Sequence, residues 1–587
     1  MRSSQASATT LGILLTAVEN QPYIRRARPP RPCPHLDRTR EAPVPTETSP
    51  SKGHPEGHVH DLAGKLPVGT LIAGCLAVCL AQIALAIPAT LNGLFQQDLH
   101  PIGSQLTWIS DAFLLPVTVL ELTFGVLGDL FGRKRLLVGG SALIVLGEAV
   151  AAASSGVHQL WIGQVIAGLG AAALFPTSLA VIAAGTHTAR DRARTITIWA
   201  AALSSGGFIA PVLGGVTGNY GSWRWSFIVV AALGAVSASV SRLLARDSSA
   251  PEGRSLDLGG QITIGVGMFA LLYAVIQGPA DGWSAPAVVT AFVVAAVFIA
   301  LFVVAETRAR SPLLRLDLFA NRAFAVASIV AVVGMFSFLG TAYATSIRLG
   351  PIQHQSPLRS SVAFIMLNGF NLLLMPLISR LLERVSSRWI LTAGLALIAA
   401  GDLLAARLPV SDLTLTALIL PLGLVGIGFA LTVSSITATA VNTVPVRYAG
   451  MASASTSLLR DFGFTLGPAV IGAIALSNAA SHFTTSLASS SLSPAAKAAA
   501  TAVVKEGGPL AVNSVPAASP PGAAHSIALD ALGNGYSLGY VICGIAALAS
   551  CLLTLAALRG RGPDTVASEN APAQARGRSF VSRRGPA

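Results

Sequence analysis

Of 587 residues, 52% are hydrophobic and 11% are charged, with a mean hydropathy of +0.66. Soluble globular chains carry roughly 25% charged residues, and the apolar runs here are about 20 residues long, the length that crosses a bilayer, so a soluble core is excluded. The net charge of +13 and pI near 10.1 do not point to nucleic acid, because the arginines sit in the turns between apolar runs and in the two tails.

Residues 1–64 are rich in Pro, Arg and Ser and read as a disordered cytoplasmic tail. The apolar patch Leu11–Leu15 is too short to span and lacks the basic start and cleavage pattern of a signal peptide. His54, His58, His60 and Asp61 have metal-ligand chemistry, but without further ligands they read as a solvated stretch. Cys33 lies in this tail, Cys75 and Cys79 in the first apolar run, and Cys543 and Cys551 in the last; no disulfide framework is implied.

Fourteen spans follow, at about 66–89, 106–128, 136–155, 160–185, 195–217, 225–245, 257–277, 286–305, 324–346, 361–382, 389–406, 413–438, 451–476 and 536–558. Charge placement orients them. One set of turns holds Arg133, Lys134 and Arg135; Arg190, Arg192 and Arg194; Arg242, Arg246 and Arg254; Arg308, Arg310, Arg315 and Arg322; Arg380, Arg384 and Arg388; Arg447; and finally Arg559 and Arg561. The alternate turns are poorer, with Arg348, Arg359, Arg407, Lys497 and Lys505 as exceptions. The positive-inside rule then puts both termini in the cytoplasm of a multi-pass protein of the cell membrane. The Ala/Ser/Pro-rich segment 478–535 reads as a mobile outer loop with weak amphipathic character near Ala495–Val504, and 559–587 as a disordered basic tail.

Three motifs stand out. Between the second and third spans, Gly125-Val-Leu-Gly-Asp129-Leu-Phe-Gly132-Arg133-Lys134-Arg135 reads as a tight hairpin, with cations facing anionic headgroups and an acid placed to hold them. In the fifth span, Gly206-Gly-Phe-Ile-Ala210-Pro211-Val-Leu-Gly214-Gly215 reads as a hinge or seal, or as generic close helix packing. Trp223-Arg224-Trp225 reads as an aromatic anchor at the outer interface, its arginine able to fix an outer loop.

The hairpin resembles the signature between spans two and three of the major facilitator superfamily, and Gly206 through Gly215 its antiporter signature. Trp108-Ile-Ser-Asp111-Ala-Phe113, the Trp223-Arg224-Trp225 element, Pro312 through Phe319 and Leu458-Leu-Arg460-Asp461-Phe-Gly463 extend the match to the fourteen-span drug:proton antiporter branch, over roughly residues 66–560. The resemblance implies an all-α major facilitator fold: an N-terminal six-helix bundle (65–250), two extra central helices (251–307) and a C-terminal six-helix bundle (308–558). It also implies export of small hydrophobic or cationic compounds by alternating access, in exchange for protons. The expected partners are a small-molecule substrate, protons and lipid, for a monomer with no cofactor and no metal. No nucleophile constellation or nucleotide-binding loop suggests an enzyme. Alternatives are a proton-uncoupled facilitator or importer on the same fold, or a non-transporting receptor.

The chain departs from that pattern at telling places. Cys79 stands where relatives carry a first-span acid, Gln164 where they carry a fourth-span arginine, Leu130 after the hairpin acid and Ala210 before the fifth-span proline. Candidate coupling or substrate groups are therefore Glu121, Glu148, Asp111, Asp461, Gln82, Gln164, Asn368 and Asn371, with Asp402 a further membrane acid. A charge at bilayer depth costs at least ~2.5 kcal/mol on insertion scales, so each marks either a function or a buried structural contact. Asp111 falls at the outer end of its span and reads as an interfacial or cavity-mouth group. Gating falls to Gly125, Asp129, Gly132, Arg133, Lys134, Arg135, Gly206, Pro211, Gly214 and Gly215. The polar ninth-to-tenth turn, Arg348 through Arg359, reads as a structured outer loop or a substrate gate.

Overall fold

The structure is a computed structural model that describes residues 68–557 except 102–103, 187, 252–255, 310–311, 442, 445–448 and 517. The histidine stretch, Cys33 and both expected tails lie outside the described residues.

Among the described residues, fourteen helices have the length and apolarity of membrane spans. The first seven are Val68–Leu99, Gln105–Phe131, Arg133–Ala152, Val157–Ala184, Arg194–Tyr220, Trp223–Leu244 and Leu258–Asp281. The remaining seven are Pro286–Arg308, Arg322–Ile352, Pro357–Arg384, Ser387–Ala405, Leu415–Ala440, Met451–Ser489 and Pro521–Ala557. Local chemistry starts several of them. Ser222, Asp257, Asn321 and Ser356 accept hydrogen bonds from the first free amides of spans six, seven, nine and ten. Pro286 and Pro357 sit at helix starts, where a missing N–H costs nothing.

Apolar side chains gain little by leaving lipid for protein, so close packing of small residues holds the helices together. In the N-terminal half, a methyl added to Gly140 would lie 3.0 Å from the Gly170 carbonyl, and one on Gly170 would lie 2.6 Å from the Gly140 carbonyl. Spans three and four are thus in backbone contact. The C-terminal half repeats the device: spans eleven and twelve meet at Gly394 and Gly428, with corresponding distances of 2.8 and 2.5 Å. Span four closes on span two at Gly168, and span twelve closes on span ten at Gly426. The recurrence, eight spans apart, is two six-helix bundles with spans seven and eight inserted between them in sequence. In space the insert is peripheral. Span seven packs on spans two and thirteen, and span eight packs on span seven. Its Val289, Val293, Val297 and Leu301 face outward.

Two expectations are corrected here. Segment 478–535 is helical rather than loop: span thirteen runs on to Ser489, a separate helix covers Pro494–Ser514, and span fourteen begins its turn at Pro521. Alanine-rich sequence with Ser493 as a capping acceptor and Pro494 at the first position explains why it coils. Phe483, Leu487, Ala500, Val512 and Ala528 then give it a small apolar core of its own. The ninth-to-tenth turn is also shorter than expected, its non-helical part confined to 353–356. Span nine continues through a π-helical turn, Arg348–Ile352, and Arg348 is buried, donating to the carbonyls of Leu408 and Pro409 at 3.1 and 2.8 Å. This outlier in the charge pattern is held inside the protein by those two carbonyls, with its buried Nε left without a partner.

Candidate functional site

The two halves meet along two seams. In the first, span two lies against span thirteen. Thr118 and Thr465 share a hydroxyl bond of 2.6 Å, and the Thr118 hydroxyl lies 3.1 Å from the Asp461 carbonyl. Glu121, three residues further along the same face of span two, is an immediate electrostatic neighbour of Asp461 and Arg460. Arg460 Nε donates to Asp461 Oδ1 at 3.2 Å. The sequence candidates Glu121 and Asp461 are thereby one cluster built from opposite halves, two carboxyls to one guanidinium. Span two is buried over most of Asp111–Thr118 and partly accessible from Val119 to Leu127. A cavity of about 660 Å³ begins there, between Leu122, Gly125, Pro176, Met451 and Ser455, and reaches Asp129 and Arg133.

In the second seam, span five is sandwiched between span one of its own half and span ten of the other. Its glycines divide between the two faces. Methyls on Gly206 and Gly214 would strike the Cys79 carbonyl at 2.6 Å and the Thr90 hydroxyl; one on Gly215 would strike Ser361 Cβ at 2.7 Å. A methyl on Gly207 would be 3.8 Å from both Gln82 Nε2 and Asn368 Cβ, which places those two candidates on either side of it. Asn371 donates to Ser204 Oγ at 2.9 Å. Cys75, Cys79 and Gln82 form one partly accessible, uncharged stripe along span one. Pro211 sits within span five without breaking it.

On the hairpin side, Gly132 adopts φ +103°, which glycine tolerates and other residues rarely do. Asp129 is buried, and Arg133 clasps its Oδ1 through Nη2 at 2.7 Å and Nε at 3.1 Å. The Asp129 carbonyl accepts from Ala250 N at 2.9 Å, Arg133 N donates to the Ser248 carbonyl at 3.0 Å, and Lys134 N donates to Asp247 Oδ1 at 3.2 Å. The hairpin is therefore sewn to the irregular segment that follows span six. Gly125 faces Pro176 of span four, and Arg135 lies in the first turn of span three.

On the opposite side the halves are sealed. A methyl on Gly93 would lie 2.8 Å from Gly350 Cα, and Asn92 donates to Ser346 Oγ at 2.8 Å. Arg224 fixes this end of the N-terminal half, pairing with Asp98 at 2.6 Å and donating to the Ser154 carbonyl at 2.9 Å. Trp223 is not an interfacial anchor. It is buried against Phe95 and Phe227 and donates to Asp98 at 2.9 Å, and only Trp225 is exposed.

Asp111 is also corrected: it is fully buried, and both carboxyl oxygens lack a hydrogen-bond partner. It sits one turn from Thr107, whose hydroxyl bonds Tyr343 of span nine at 2.6 Å. Glu148 and Gln164 are likewise fully buried without side-chain partners, within the bundle where Gly147 packs on Ala167 and Ser141 bonds Ser237 at 3.0 Å. They are not brought to Glu121. Asp402 accepts from Thr341 at 2.6 Å inside the C-terminal half. Sequence reasoning missed Asp98 and Asp247. A lone arginine between two tryptophans in a cation-poor turn was the available signal for Asp98; no local signal marks Asp247.

Residues 74–468 match the model of the Major Facilitator Superfamily. A "Multidrug resistance protein Stp" of Mycobacterium tuberculosis is 33% identical over 370 residues, covering 63% of this chain and 68% of its own. The "Tetracenomycin C resistance and export protein" of Streptomyces glaucescens is 26% identical, covering 89% and 97%. Among solved structures, a bacterial homolog of the human lysosomal transporter Spinster superposes with a TM-score of 0.60 at 17% identity, over 85% of this chain and all of that one. With fourteen spans, paired bundles and this match, the chain belongs to the Major Facilitator Superfamily of transporters, and it is not an enzyme.

Proposed function

We propose that the protein exports small hydrophobic or cationic compounds from the cell in exchange for protons, with the Glu121–Arg460–Asp461 cluster as the coupling site. The observation that carries this reading is the cluster's position across the seam between the halves, beside the hairpin-side cavity. Two carboxyls and one guanidinium leave one negative charge in excess when both acids are ionised. A proton neutralises it, and so does a cationic compound arriving through the cavity, which makes the two compete for one state of the seam. Because Glu121 belongs to one half and Arg460 and Asp461 to the other, loss of that charge alters the attraction between halves that alternating access must break and remake. The names of the relatives, multidrug resistance and antibiotic export, support the substrate class. The proposed arrangement is a monomer in the plasma membrane with both termini cytoplasmic, bundles at 65–250 and 308–558, and the hairpin from Asp129 to Arg135 as an inner-face latch.

The test is extrusion of a lipophilic cationic dye by cells and by vesicles with an imposed proton gradient. Extrusion that a protonophore abolishes, and that Glu121→Gln uncouples from the gradient, is the expected result. Protonophore-insensitive movement would instead favour a facilitator, the reading that Cys79 and Gln164 support.

A further inference from the structure

A second cavity, of about 850 Å³, lies on the side opposite the hairpin and is separate from the coupling cluster. Spans four and seven flank span two, and the turn Lys505–Pro509 of the Pro494–Ser514 helix covers the gap between them. Its wall is aromatic. Trp108 lies 6.2 Å from Trp161 and 6.2 Å from Phe269, between ring centroids; Phe269 lies 6.5 Å from Tyr273, and His158 meets the edge of Trp161 at 4.8 Å.

The wall is held in place by polar contacts. Gln277 Oε1 accepts from Ser104 Oγ at 2.6 Å and from Trp108 Nε1 at 3.4 Å, while its amide donates to Asp281 Oδ2 at 3.2 Å. The Trp161 indole N–H donates to the Gln105 carbonyl at 3.3 Å. One glutamine thus fixes an indole face and a carboxylate in the same chamber. Asp281 and Glu506 against Lys505 leave the charged lining with one negative charge in excess. The roof turns at Gly508, whose φ of +72° interrupts the helix there.

We infer that this chamber binds a lipophilic organic cation, its aromatic body against Trp108, Trp161 and Phe269 and its charge toward Asp281. A cation is attracted to ring faces and to a carboxylate alike, and the volume is that of a pocket for a drug-sized molecule. The site is distinct from the Glu121 cluster. It rests on the proposed function only for its choice of ligand class, since binding here requires no transport and no proton.

The test is equilibrium binding of tetraphenylphosphonium to the full-length protein in nanodiscs, with the near-isosteric anion tetraphenylborate as the charge control. Asp281→Asn and Trp108→Leu should each weaken one class of phosphonium site by about tenfold, and Glu121→Gln should leave that class unchanged. Asp281→Asn should not weaken tetraphenylborate binding. Asp281 is exposed and its replacement keeps the shape, so a folding failure does not cloud that arm. A single class of site that neither variant weakens, or equal losses for the cation and the anion, would overturn the inference. A failure of proton coupling alone would leave it standing.

Discussion

The two seams between the halves are built from opposite materials. Where span two meets span thirteen, the contact is hydroxyl and charge: Thr118, Thr465, Glu121, Arg460 and Asp461. Where span five meets span ten, it is glycine and neutral polar groups: Gly207, Gly215, Ser361, Asn368 and Asn371 with Ser204. One seam has groups that change charge; the other has a smooth surface with no titratable side chain among those residues. Under the proposed function the division separates sensing from sliding: the proton is read where carboxyls face a guanidinium, and movement is accommodated where backbones touch and few side chains interlock.

Breaking the glycine seam should have the largest effect. Gly215→Val forces a branched side chain into a place where a single methyl is already 2.7 Å from Ser361 Cβ. The expected result is a stability loss of about 1–3 kcal/mol and abolished transport, read by thermal shift and dye extrusion together. Retained transport would show that this contact is not needed in any state of the cycle. Next is the charged seam. Glu121→Gln should reduce gradient-driven accumulation by about tenfold, equivalent to about 1.4 kcal/mol, and flatten its pH profile while downhill dye exchange persists; an unchanged profile would remove Glu121 from coupling. Asn371→Ala sharpens the contrast. It deletes one neutral hydrogen bond of 2.9 Å, worth about 0.5–1.5 kcal/mol, and should lower the rate modestly with no shift along the pH axis. The smallest effect should come from Gly139→Ala, where an added methyl meets nothing within 4 Å. Unaltered melting and transport there would show that the damage at Gly215 is positional rather than a general cost of replacing a membrane glycine.

Much of the fold was legible in the sequence because the bilayer imposes a length and a polarity on each helix. Apolar runs of spanning length and alternating arginines marked all fourteen spans, with ends within a few residues for most. The exceptions were instructive. Span one runs on past Pro88 to Leu99 and span thirteen to Ser489, because helices continue beyond the apolar core once neighbouring protein supports them. Segment 478–535 was unreadable for the same reason: its helices are stabilised by a local core among Phe483, Ala500 and Val512, and not by lipid.

The site was legible as residue types and illegible as a site. Sequence alone determined the number and order of the fourteen helices, the Gly132 turn, the family signatures, and the list of acids too costly to keep in a membrane without a purpose. Only tertiary structure decided that Glu121 and Asp461, 340 positions apart by their numbers, are neighbours sharing Arg460, while Glu148 is enclosed in its own bundle. It also decided that Asp111 is buried rather than interfacial, that Arg348 is buried and donates to two carbonyls, and that Trp108 and Asp281 share one glutamine. The physical reason is common to all of these. Hydropathy is a property of each segment and is written locally, whereas a buried charge is made tolerable by partners that another helix supplies, and helix pairing leaves almost no trace in a single strand of sequence.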